Sequence, residues 1–134
     1  KLLAPVVTRL PVSWLYPMGE AQQKRTPKFS KYFLENDIIA GDFHFIRKFM
    51  PDTLPGKIII TNTVTSDDRA MLKKAGVKLL ITTTPCLEGR SFGTNVMEAM
   101  LVAVKGTQTP LTAAEYIDLL EEYKIESSIE YLNT

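Results

Sequence analysis

Between Thr82 and Asn95 the chain reads Thr-Thr-Thr-Pro-Cys-Leu-Glu-Gly-Arg-Ser-Phe-Gly-Thr-Asn, then enters an almost wholly apolar stretch from Val96 to Val104. The hydroxyls of Thr82, Thr83, Thr84, Ser91 and Thr94, the amide of Asn95, the backbone at Gly89 and Gly93 and the guanidinium of Arg90 are groups that hold anions. At a helix start the first N–H groups point outward without partners, and the helix dipole favours negative charge there. Arg90 would add a charge-assisted hydrogen bond of roughly 1.5–3 kcal/mol. The same residues have a plainer use. Asn95 with Glu98 three residues on is close to a capping box, and both glycines suit a turn. The Gly89–Gly93 spacing is not a dinucleotide fingerprint, so both readings stand.

Two further polar sets follow apolar runs. Gly41-Asp42-Phe43-His44 closes Ile38-Ile-Ala40, and Thr61-Asn62-Thr63 closes the run from Lys57 through three isoleucines. His44 is the one histidine, and its titration range suits proton transfer, with Asp42 two residues away as the acid–base partner. A capping role for Asp42 and a hydrogen-bonded, non-catalytic His44 are the alternatives. One histidine and one cysteine make a transition-metal site a poor expectation, and Cys86 reads as a bystander thiol.

These sets need elements to position them. Ile38–Ala40, Lys57–Thr63 and Val77–Ile81 read as strands of continuous β-branched or leucine residues, separated by helical segments. That pattern predicts parallel strands joined by right-handed βαβ crossovers. The helices are predicted at Phe43–Phe49, after the capping box Thr65/Asp68 up to Gly76, over Val96–Val104, and after a second capping box, Thr112/Glu115, with Ala113, Tyr116, Ile117 and Leu120 on one face. Val96–Val104 is apolar nearly all round and is expected to be buried in the domain or in an interface. Ser128–Leu132 alternates like a terminal edge strand. The expected fold is α/β, a Rossmann-like three-layer α/β/α domain with a small, mainly parallel sheet. Ligands of such sheets sit beyond the carboxyl ends of the strands, where all three polar sets would converge.

The first 36 residues read as an N-terminal arm and a short helix. Leu10–Gly19 carries the single tryptophan, Trp14, and suits packing on this domain or on a partner. Thr26 and Pro27 read as the cap and first position of a helix with Phe29, Tyr32 and Phe33 on one face. Lys24, Arg25, Lys28 and Lys31 make a basic patch, read as a solvated face.

With 134 residues, 45% hydrophobic, 23% charged and a net charge of +1, the chain is expected to be one soluble domain. That balance argues against nucleic acid or membrane as partner, and the lone cysteine fits a cytoplasmic, reducing compartment. A homodimer is expected, because a three- or four-stranded sheet has little surface with which to cover both the Val96–Val104 helix and the Trp14 arm.

Ile39-Ala-Gly-Asp-Phe-His-Phe-Ile-Arg47, Ile59-Ile-Thr-Asn-Thr63, Leu80-Ile-Thr-Thr-Thr-Pro85 and Gly89-Arg-Ser-Phe-Gly-Thr-Asn-Val-Met-Glu-Ala99 together resemble a bacterial family described as quinate 5-dehydrogenases or predicted dehydrogenases. The resemblance covers most of the chain. It implies NAD(P)-dependent oxidation of a cyclic polyol acid, with NAD or NADP as cofactor and no metal. Family members are longer, and this chain is similar to their C-terminal half, so a further N-terminal domain is implied. The Lys/Asp pair and the glycine-rich dinucleotide turn of quinate and shikimate dehydrogenases are not found in these 134 residues.

Overall fold

In a computed structural model the described residues are 25–134. The arm expected over Leu10–Gly19, with Trp14, lies outside them, as does Lys24. The described elements, in chain order, are α1 (Ser30–Glu35), β1 (Ile38–Ala40), α2 (Phe43–Phe49), β2 (Ile58–Thr61), α3 (Ser66–Lys74), β3 (Leu79–Thr82), β4 (Cys86–Leu87), β5 (Arg90–Ser91), α4 (Thr94–Lys105), α5 (Ala113–Glu122) and β6 (Ser128–Tyr131). The main sheet has the order β1-β2-β3-β6. The first three strands are parallel and β6 runs antiparallel to β3. The chain thus forms an α/β domain with a small, mostly parallel sheet, compatible with a Rossmann-like fold.

The register decides which side chains share a face. Ile39, Ile59, Leu80 and Glu130 lie in one row. The core gathers on this face: Ile59 and Leu80 join Phe43 and Ile46 from α2, Leu72 from α3 and Ala75 at the C-cap of α3. Right-handed crossovers that step the same way twice must put both helices on one side of the sheet, as found here. The opposite face is made of two rows, Ile38–Ile58–Leu79–Tyr131 and Ala40–Ile60–Ile81–Ile129. All eight are apolar or aromatic, and none belongs to the core cluster.

Local chemistry sets the ends of the elements. Asp42 caps α2 by accepting from the His44 backbone N–H at 2.9 Å. Thr65/Asp68 and Thr112/Glu115 form the expected capping boxes on α3 and α5. Asp68 is buried and also pairs with Arg47 at 3.2 Å, which ties α3 to α2.

Two local expectations are corrected and a third is narrowed. The helix at 30–35 starts after Phe29, whose φ of 61° is left-handed, and not at Pro27. The Thr26 N–H instead bonds the Lys48 carbonyl at 2.8 Å and the Lys28 N–H bonds that of Phe49 at 3.1 Å, which holds residues 26–28 against the end of α2. In α5 the buried residue is Leu119, while Ile117 is 56% exposed. Helix α4 buries Met97 and Leu101 and leaves Val96, Met100 and Val104 exposed. Of the two expected ways of covering this helix, burial in the domain accounts for one stripe alone among the described residues, and an interface would have to cover the other.

Candidate functional site

Parallel pairing carries β1, β2 and β3 to a common edge, and the three polar sets leave the sheet there side by side. The Thr61 hydroxyl donates to the Gly41 carbonyl at 2.7 Å, and the Thr83 N–H donates to the Thr61 carbonyl at 2.9 Å. The Asn62 amide N–H₂ reaches the Asp42 carboxylate at 3.5 Å, while its oxygen receives the Phe43 N–H at 3.4 Å. Asp42 therefore has a positioning duty at the start of α2, and His44 is exposed in the first turn of that helix. Thr61 and Thr82 are buried and spend their hydroxyls on backbone carbonyls, Thr82 on that of Thr84 at 2.9 Å. Thr63 packs beside Gly93, where an added Cβ would come within 3.3 Å of its hydroxyl oxygen.

The loop after β3 divides into two parts. Residues 86–91 fold as a two-stranded hairpin, Cys86 opposite Ser91 and Leu87 opposite Arg90. Its turn is Glu88–Gly89, both with positive φ, 50° and 78°. Two consecutive positive-φ residues are what a type I′ hairpin turn requires, so Gly89 is explained by the turn. Ser91 is fully buried; its hydroxyl accepts from the Val64 N–H at 2.7 Å, and its own N–H returns to the Val64 carbonyl at 3.0 Å. Ser91 thus fastens the hairpin to the β2 exit and faces no solvent.

Arg90 is exposed and lines an open groove of about 340 Å³ with Thr65, Ser66, Asp67, Glu88 and Gly89. That groove lies at the start of α3, which already has a capping box and Asp67 in its first turn. Two carboxylates, Asp67 and Glu88, share the groove with Arg90, so its field is mixed.

The second part of the loop is different. Thr84 gives its hydroxyl to the Phe92 carbonyl at 2.6 Å, and the chain turns at Gly93 into α4. Gly93 is the N-cap and offers no side-chain hydrogen bond; α2, α3 and α5 each have a side-chain cap. The expected Asn95/Glu98 capping box is therefore not formed. Asn95 lies inside the helix as its second residue, and Glu98 instead accepts from the Tyr116 hydroxyl at 3.1 Å. Desolvation first, and the Glu98 carboxylate second, raise the Tyr116 pKa above its ordinary value of 10.0, so the phenol stays a proton donor.

Against this helix start lies a cleft of about 430 Å³. It is lined by the polar residues Thr83, Thr84, Thr94 and Glu98 and by Met97, Leu101, Tyr116, Leu120 and Ile125. A concave, mostly apolar space with a few convergent polar groups is the usual form of a small-molecule site, and the volume falls in the usual range. Thr94, the first residue of α4, lines the cleft, and the dipole at a helix start suits the negative end of such a molecule.

The model for a domain of unknown function, DUF8754, matches residues 1–132. The chain belongs to the DUF8754 family. No curated protein and no solved structure matches it.

Two features of this DUF8754 domain escape the sequence reading. Arg69, on α3, donates to the Gly89 carbonyl at 2.6 Å, to Glu130 at 2.9 Å and to the Cys86 sulfur at 3.1 Å. It joins the hairpin to β6, and nothing in its local sequence announces contacts 17 to 61 residues away. The cleft wall was half visible, since Tyr116 and Leu120 share a helical face. Their pairing with Met97 and Leu101 depends on how α4 and α5 dock. Among the described residues no group of three or more His, Cys, Asp or Glu is placed to hold a metal ion, and no helix is long and apolar enough to cross a membrane.

Proposed function

We propose that this domain binds a small anionic metabolite or a nucleotide at the strand-exit edge, with the negative group on the Thr94 and Asn95 N–H groups. The Thr83 and Thr94 hydroxyls flank the anion, and the body of the molecule lies in the cleft against Met97, Leu101 and Leu120. The observation that supports this reading most is the start of α4. It opens on the larger of the two grooves described above and has no side-chain cap; short α1 is uncapped as well, but α2, α3 and α5 are capped from within the chain.

Set in a longer cytoplasmic protein of the quinate dehydrogenase kind, as the resemblance implies, this site would serve an NAD(P)-dependent oxidoreductase. His44, at the same edge, is then the group for proton transfer. The chain has no glycine-rich dinucleotide turn. That favours, as the second reading, a non-catalytic metabolite-binding module. The two readings separate by titration: on the second reading the 134-residue chain alone should bind NAD(H) and NADP(H) weakly or not at all by calorimetry, and low-micromolar binding would favour a complete cofactor site.

Thr94→Pro tests the anion site itself. Proline is favoured at the first helical position, and Gly93, at φ −68° and ψ 149°, already has the extended backbone that a following proline needs. The variant should fold as well as the parent while losing one N–H and one hydroxyl. Binding of inorganic phosphate or sulfate should weaken about tenfold, as loss of a charge-assisted hydrogen bond does. Unchanged anion affinity would place the anion elsewhere.

A further inference from the structure

The face of the sheet opposite the core is apolar in all eight positions, and its outer members are open: Ile38 is 56% exposed, Ile129 64% and Tyr131 72%. The last strand fits this face and not the other. In β6 the apolar residues Ile129 and Tyr131 point to the open side, while Ser128 and Glu130 point to the side of the core. A strand whose alternation directs its hydrophobic residues to one face is patterned for burial of that face. A second surface with no partner among the described residues lies on α4. Val96, Met100 and Val104 recur every fourth residue as one stripe, 53%, 43% and 50% exposed. The stripe that α4 buries is a different one, Met97 and Leu101.

We infer that two copies of the chain pair reciprocally, the outer stripe of α4 in each lying on the open sheet face of the other. The dimensions agree: 12 residues of helix are about 18 Å long, and four strands span about 15 Å from first to last axis. Neither surface includes a charged residue, so each meets the other without desolvating an ion or opposing like charges. One helix on so small a face falls short of the roughly 800 Å² per partner of a standard interface. A closed two-fold arrangement uses the contact twice and leaves neither surface over. An unrelated partner would cover one surface and leave the other bare.

Size-exclusion chromatography with light scattering on the 134-residue chain reads the outcome. The parent should be dimeric at high-micromolar concentration. Ile129→Glu and Met100→Glu each place a charge in the contact and should weaken the dimer at least tenfold, while circular dichroism stays unchanged because both positions are exposed. Mixing the two variants in equal amounts should restore part of the dimer, since one of its two helix-on-sheet contacts then has both native surfaces. If Ile129→Glu fails to fold, Tyr131→Lys is the substitute at a position 72% exposed. A monomeric parent would overturn the inference, with the face then covered by another segment of the chain or by a different partner. So would a Met100→Glu variant that stays dimeric, which would mean sheet stacked on sheet.

Discussion

At the scale of single residues, the loop from Thr82 to Asn95 separates into side chains that build the fold and groups that face outward. Ser91 belongs to the first kind: it is buried and its hydroxyl receives the Val64 N–H. Ser91→Ala leaves that N–H without an acceptor and should cost about 1–3 kcal/mol, measured by urea unfolding. A loss below about 0.5 kcal/mol would free Ser91 for the ligand role its sequence position invites. Gly89 and Arg90 show why the loop could not be resolved from its letters. Glu-Gly with positive φ at both residues makes a hairpin, and the hairpin turns Arg90 towards the start of α3 instead of α4. A serine that caps, clamps or binds has the same letter, and only tertiary contacts tell these uses apart.

At the scale of elements, the sequence was most legible where a local rule acts alone. Both Thr-x-x-Asp/Glu capping boxes form as read, because every atom they need lies within four residues. The second box gives a pH-dependent prediction. Two hydrogen bonds from Thr112, from its backbone and then its hydroxyl, hold the Glu115 pKa below 4.5. A depressed folded pKa adds stability above the unfolded value and loses it as pH falls through the folded value. Glu115→Gln should therefore lower Tm most above pH 4.5, and the gap to the parent should close as pH falls further. A constant gap across that range would show that the carboxylate's charge is irrelevant to the box. Strands were legible for a similar reason, since Ile58–Ile60 and Leu79–Ile81 are continuous apolar runs. The exposed stripe of α4 was not, because an all-apolar helix does not say which side stays bare. Leu72, on α3, joins that helix to the sheet through the core; Leu72→Ala should cost about 2–5 kcal/mol.

At the scale of the molecule, three parallel strands bring Asp42, Asn62 and Thr83 to one edge, and α4 begins beside that edge. The strand order never reverses among the described residues, so no crevice forms between oppositely wound halves. The cleft comes instead from α4 and α5 docked past the exit of β3, which a strand-and-loop reading does not foresee. The central claim, that the start of α4 is an anion site, is tested most directly by Asn95→Asp. A carboxylate in the first turn stabilises a helix by about 0.3–1 kcal/mol, and it repels an anion bound at the same N–H groups. The measurement is a sulfate titration of the ¹⁵N-labelled chain, parent and variant, followed residue by residue. The account predicts that sulfate moves the Thr94 and Asn95 amide resonances in the parent, and that Asn95→Asp raises thermal stability while weakening this response at least tenfold. Sulfate shifts centred on other residues, or an Asn95→Asp variant that binds sulfate as the parent does, would contradict it.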